Sequence, residues 1–231
     1  MLLAVSGCGN LVYHRVQEGD TLYSIGFRYS QDYRKIAEWN GLREPYDLTV
    51  GQRLRVAPPT KLMERIERRQ GQPSTTASVP PSTSSAQVIP LPDRHPPAPT
   101  SPAARAAAPR WVLPAKGKIL KPYSDGNPGN KGVDIGGQLG EPVKAAAGGK
   151  VVYSGGGLIN YGNLVIIKHD DHYLSAYGHN SKLRVGEGDL VVAGQQIADM
   201  GRSTDGTVML HFEIRYDGKP VNPQRYLSAL K

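Results

Sequence analysis

The stretch "NLVIIKHDDHYLSAYGHN", residues 163–180, reads as two strands joined by a turn. "NLVIIKH" (163–169) is apolar without strict alternation, the pattern of a central strand covered on both faces. Asp170, Asp171 and His172 are turn residues, and "YLSAYGHN" (173–180) is the returning strand. Working outward, "KVVYSGGG" (150–157), "DLVVAGQQIADMG" (189–201) and "LHFEIRYDG" (210–218) repeat the same short β-rich runs between glycine turns. Residues 111–231 are therefore expected to form an antiparallel β-sheet domain with almost no helix.

Three side chains in this region have the chemistry of metal ligands: Asp134 in "NKGVDIGG" (130–137), His179 in "YGHN" and His211 in "MLHFEI". Catalytic zinc takes about three protein ligands and keeps one position for water. Residues two apart on a strand share a face, so position 209 could serve the same ion as His211, but it holds Met209. His169 reads as a strand-end or packing residue, and neither His14 nor His95 has a partner in the sequence.

The phrases around these residues resemble a LytM-type, lysostaphin-like zinc peptidase domain over almost all of 111–231. Active members carry H-x-G-x-D, a histidine after a Tyr-x pair, and H-x-H near the end. The resemblance implies that the first histidine, the aspartate and the last histidine hold the metal, while the other two handle the attacking water and the oxyanion. Asp134, His179 and His211 match; Asn130 stands for the first metal histidine and Met209 for the first histidine of H-x-H. An amide oxygen is a poor replacement for imidazole on Zn²⁺, and a thioether neither accepts the water proton nor stabilises the oxyanion, a loss of about 10²–10⁴ in rate. The five positions Asn130, Asp134, His179, Met209 and His211 are thus expected to be a degenerate metal site with no metal, no cofactor and no catalytic residue, its remaining polar groups forming a hydrogen-bonded cluster.

Residues 12–57 differ in kind. Tyr13 to Val16 reads as a strand; Asp20 or Thr21 caps a helix with Leu22, Ile25 and Tyr29 on one face; a second helix carries Ile36, Ala37 and Trp39; Asn40-Gly41 stops it; and Gln52 to Val56 returns as a strand. This βααβ order, with "VQEGDTLYSI", "WNGL" and "LTVGQRL", resembles a LysM module. LysM modules bind N-acetylglucosamine-containing glycans such as peptidoglycan in a shallow groove. The resemblance puts Gly19, Asp20, Thr21 and Leu22 on one side of that groove and Asn40, Gly41 and Leu42 on the other. Asp20, Thr21, Asn40 and Gly41 are equally helix-end residues.

Between the two modules, residues 58–110 are expected to be a disordered linker. Residues 57–110 hold 12 of the 19 prolines, and no glycine occurs between Gly71 and Gly117. Such sequence favours polyproline II at roughly 3.1 Å per residue, about 120 Å for residues 71–110 if fully stretched. "KLMERIERRQ" (61–70) reads as a short solvated amphipathic helix. At the start, residues 1–11 contain the apolar run "MLLAVSG" before Cys8, the only cysteine. The run is too short to span a bilayer. Val5-Ser6-Gly7-Cys8 resembles a bacterial lipoprotein cleavage box, which implies a truncated signal, lipid attachment at Cys8 and, with Gly9 rather than aspartate following, the outer membrane.

The formal net charge of +8 is diffuse, +1 over 12–56, +4 over 57–110 and +3 over 111–231, with no basic stripe interleaved with aromatics. Nucleic acid is therefore not the expected partner. LysM module, proline-rich tether and degenerate LytM-type domain together resemble NlpD-type lipoproteins. That family implies a non-catalytic activator of a periplasmic N-acetylmuramoyl-L-alanine amidase during daughter-cell separation. A zinc endopeptidase with an unorthodox ligand set and a passive tether from outer membrane to wall are the alternatives.

Overall fold

A computed structural model describes residues 13–59, 109–126 and 129–227. Cys8, the segment 61–70, His95 and nearly all of the expected linker lie outside the described residues.

The N-terminal module is built from β1 (Tyr13–Arg15), α1 (Leu22–Tyr29), α2 (Tyr33–Asn40) and β2 (Arg53–Arg55), the two strands pairing antiparallel. The helix ends follow from local chemistry. Thr21 Oγ1 accepts from the Ser24 N–H, and Ser24 Oγ accepts from the Thr21 N–H, a reciprocal capping box. Asp32 caps α2, and Gly41 at φ 65° closes it in the left-handed conformation. Leu22, Ile25, Ile36 and Leu54 fill the small core between helices and strands.

The second module is a ten-stranded antiparallel sheet. Its strands are β3 (Ile119–Lys121), β4 (Val133–Gly136), β5 (Pro142–Lys144), β6 (Gly149–Gly155), β7 (Asn163–Lys168), β8 (Tyr173–Leu183), β9 (Leu190–Val191), β10 (Gln196–Arg202), β11 (Val208–Tyr216) and β12 (Lys219–Val221). They lie in the order β3-β4-β11-β10-β8-β7-β6-β9, with β12 on β11, β5 on β10 and β11 also paired directly with β8. The expected fold class, a small α+β module plus a mainly-β domain, is the one observed.

Strand β7 is buried throughout from Leu164 to Ile167, as its lack of alternation indicated. Val165 and Ile167 point into the main core of the sheet domain. Leu164 and Ile166 point the other way, into a second cluster with Val152, Leu158 and Ala176 whose lid is Phe27 of α1. The N-terminal module thus covers the outer face of the sheet, and the two modules belong to one compact unit. Burying one such aromatic side chain contributes about 1.5–3 kcal/mol.

Polar contacts fix the docking. Arg215 on β11 lies against the Phe27 ring, 3.4 Å from its centroid, and its Nη1 donates to the Phe27 carbonyl at 2.6 Å. Thr21 Oγ1 donates to the Val152 carbonyl at 3.1 Å, and Arg34 pairs with Asp217. At the β11–β12 turn, Gly218 at φ 76° meets the backbone of Gln31 and Asp32 so closely that a Cβ there would collide with it. Only glycine satisfies both the dihedral and the contact.

Candidate functional site

Adjacent strands β4, β11 and β8 bring the metal-like residues together. His211 is directly opposite Asp134 on one side and Gly178 on the other. His179 follows in a left-handed backbone conformation, φ 63°, and its N–H donates to the Tyr161 carbonyl at 2.7 Å. That departure from strand geometry leaves the His179 ring 6.3 Å from the His211 ring, both lining an open groove of about 470 Å³.

Most polar groups in this groove already have partners. His211 Nδ1 donates to Asp134 Oδ1 at 2.6 Å, and Nε2 lies 3.1 Å from Glu213 Oε1. Burial disfavours charge on this imidazole, but the hydrogen bonds and charges of Asp134 and Glu213 outweigh it and raise the pKa to about 9. Glu213 is fully buried; burial would raise its carboxyl, yet Arg215 and His211 bring it down to about 2. Tyr161 donates to Glu213 Oε1 at 2.8 Å, and Arg215 Nε donates to Oε2 at 2.8 Å. His179 is shifted the opposite way from His211, down, by burial and then by the His211 charge.

Asn130 lines the groove, but its Nδ2 donates towards the carbonyls of Lys121 and Pro122, and its backbone pairs with Ser124. Met209 is 9% exposed, opposite Gly136 and Gly201, on the His211 side of β11. Among the described residues, no group of three or more His, Cys, Asp or Glu side chains is placed to hold a metal ion. Tyr161, Glu213 and Arg215 were not singled out from sequence. The signal for the last two was two opposite charges at i, i+2 inside the apolar run "LHFEIRY".

The other rim of the groove is apolar and exposed. Leu158 is buried beneath it, whereas Ile159 is 81% exposed. Arg28 of α1 reaches the same groove and donates to the Gly157 carbonyl at 3.3 Å.

In the N-terminal module, Asp20, Thr21 and Leu22 line a second cleft, of about 760 Å³, but Gly19, Asn40, Gly41 and Leu42 are not in its lining. Asp20 accepts from His14 Nε2 at 2.7 Å and from the Gln17 N–H at 2.8 Å. The Asn40 amide is committed within the module: Nδ2 donates to the Ile36 and Arg55 carbonyls, and Oδ1 accepts from the Arg55 N–H.

Family models match both modules: LysM domain over residues 14–57 and peptidase family M23 over residues 128–223. A solved structure of the antimicrobial peptidase lysostaphin from Staphylococcus simulans aligns over 54% of this chain and 55% of that one at 28% identity and a TM-score of 0.47. The two family matches identify a LysM domain and an M23-type domain in this chain. Among curated proteins, the lipoprotein NlpD/LppB homolog of Pseudomonas aeruginosa is 43% identical across 92% of this chain and 75% of its own length. The murein hydrolase activator NlpD of Escherichia coli K12 is 38% identical across 93% of this chain and 67% of its own length. The chain belongs to the NlpD/LppB lipoprotein family.

Proposed function

We propose that this protein is a non-catalytic cell-wall lipoprotein that binds peptidoglycan through residues 12–57 and activates a periplasmic N-acetylmuramoyl-L-alanine amidase during septal splitting. Lipid attachment at Cys8 and an outer-membrane location facing the periplasm belong to the same proposal.

The observation that carries it is the donor set at the position where the resemblance expects a metal, in which Asn130 and Met209 stand where two histidines are expected. Zinc requires a neutral imidazole with a free ring nitrogen. Here both nitrogens of His211 face carboxylates. Asn130 turns its amide to backbone carbonyls, and Met209 offers a thioether. These residues do not fit a catalytic zinc ion, so no hydrolytic step is assigned to them. What remains is a concave, water-accessible groove with an exposed apolar rim at Ile159 and cations at Lys131 and Arg28. Such a surface suits a protein segment with an apolar anchor and acidic flanks. An activator must bind the open amidase more tightly than the closed one, by about 1–3 kcal/mol for a 5–150-fold effect. Relatives named murein hydrolase activators support this reading.

The test is release of dye-labelled fragments from sacculi by a periplasmic amidase, with and without the full chain. Stimulation is expected, with no release by the chain alone. Ile159→Asp, at an exposed position, is expected to reduce stimulation at least about tenfold while leaving thermal stability unchanged. Unaltered amidase turnover with the wild-type chain would leave only a passive tether.

A further inference from the structure

The second cleft lies between the modules. One wall is formed by the loops after β1 and after α2, the other by β6, the end of β7 and the loop before β9. This inference rests on the reading of residues 12–57 as a glycan-binding module. We infer that the glycan site of this protein is a two-module cleft, in which Lys150 and Glu187 of the sheet domain form a second wall around a neutral N-acetylhexosamine oligosaccharide.

The placement of the recognition loop is the first argument. Half-buried Asp20 and Thr21 share one cleft lining with Lys150, Val151 and Val152 of β6, and Thr21 Oγ1 donates to the Val152 carbonyl at 3.1 Å. A saccharide approaching this loop therefore meets the sheet domain as well. The volume, about 760 Å³, falls in the range of small-ligand sites and far exceeds one or two waters.

The chemistry of the walls is the second. Tyr23 and Tyr46, with ring centroids 6.2 Å apart and edge to face, give the cleft aromatic surface suited to the C–H face of a pyranose. Lys150 is directly opposite Lys168 across β6 and β7, so their side chains share the face turned to the N-terminal module. Lys168 is held by Asp171 at 3.2 Å, whereas Lys150 has no ion pair among the described residues. Its ammonium is left to donate to an acetamido carbonyl. Glu44 and Asp47 on one wall, and Glu187 on the other, supply hydroxyl acceptors. With Asp20 the lining has four carboxylates against two lysines, a balance that favours a neutral sugar and opposes strands crowded with acidic stem peptides.

The experiment is calorimetric titration of the full chain with tetra-N-acetylchitotetraose, alongside Lys150→Ala and Glu187→Ala, both at exposed positions. An amide-shift map of the wild type accompanies it. Each substitution is expected to weaken binding about five- to tenfold without lowering the melting temperature, and amides near 150–152 and 187–188 are expected to shift with those of 20–23 and 44–48. Wild-type affinity in both variants, with shifts confined to residues 12–57, would overturn the two-module cleft and leave the glycan module intact. Tighter binding of a peptide-bearing muropeptide than of the chitotetraose would overturn the neutral-ligand assignment. No binding of chitotetraose or of sacculi by the wild type would overturn the glycan reading itself, and the inference with it.

Discussion

The two clefts of this molecule handle charge in opposite ways. In the groove beneath Asp134 and His211, ionic groups are paired inward, from Asp134 through His211 and Glu213 to Arg215 and on to the Phe27 carbonyl. In the cleft between the modules, Lys150, Glu44 and Asp47 are exposed and have no ion pair among the described residues. A cluster satisfied from within is rigid and chemically quiet, so what the groove offers a partner lies on its rim; in the cleft the exposed, unpaired groups are the walls themselves. On the proposed reading, the groove meets its protein partner through the exposed Ile159 rim and the Lys131 and Arg28 cations, and the cleft meets its ligand through hydrogen bonds.

Phe27 stands between the two regions, so removing it breaks the comparison most severely. Phe27→Ala is expected to destabilise the chain by about 3–5 kcal/mol in urea denaturation, because the cavity opens onto Leu164, Ile166 and the Arg215 cation together. The cleft should lose its second wall while the His211–Asp134 pair persists. Little loss of stability would mean that the docked arrangement contributes little.

Acid should act on the wall of the cleft before it acts on the groove. His169, the residue after Lys168, is enclosed by Trp111, donates from Nδ1 to the Gly148 carbonyl at 2.8 Å and has Ser175 Oγ 2.7 Å from Nε2. Burial lowers its pKa to about 4, against which the Gly148 carbonyl and Asp170 act only in part. Between about pH 6.5 and 4 the unfolded chain therefore binds the proton that the folded chain refuses. Stability from this group is complete above about pH 6.5 and is lost as pH falls towards 4, by at most about 3 kcal/mol. Urea midpoints at pH 4.5 and 7 should differ accordingly, and His169→Asn should flatten that difference; an equally steep pH dependence in the variant would refute the assignment.

Arg28 is the smallest lever. It joins the modules through Gly157 and lies 3.7 Å from Asp20, but it is exposed enough for solvent to screen the pair. Arg28→Ala is expected to cost under about 1 kcal/mol in the same denaturation experiment, while altering the groove's charge. A loss comparable to that of Phe27→Ala would place the docking energy in polar contacts instead.

Much of this was legible locally. The capping chemistry of "GDTLYS" and the stop at Asn40-Gly41 set both helices, and the unbroken apolar run of β7 announced burial on two faces. What covers the second face was not legible, because Phe27 meets Arg215 across 188 positions and nothing in the local pattern of α1 marks Phe27 as a ligand of the sheet rather than of its own module. The positions Asn130, Asp134, His179, Met209 and His211 were legible through the resemblance to LytM-type domains, with spacing alone relating only Met209 to His211, and three of them, Asn130, His179 and His211, line the groove. Its internal ion pairing was not: Glu213 and Arg215 announce themselves as buried charges only once β11 is known to be central to the sheet.

The central claim of the proposal is that Asn130 and Met209 leave the cluster of Asp134, His179 and His211 unable to hold zinc. Zinc content of the unaltered chain after equilibrium dialysis against micromolar Zn²⁺ tests it most directly, with Asn130→His/Met209→His as the comparison. The expected result is far less than one zinc per unaltered chain and recovered binding in the double variant; stoichiometric zinc on the unaltered chain, with EDTA-sensitive cleavage of cross-linked peptides, would contradict it.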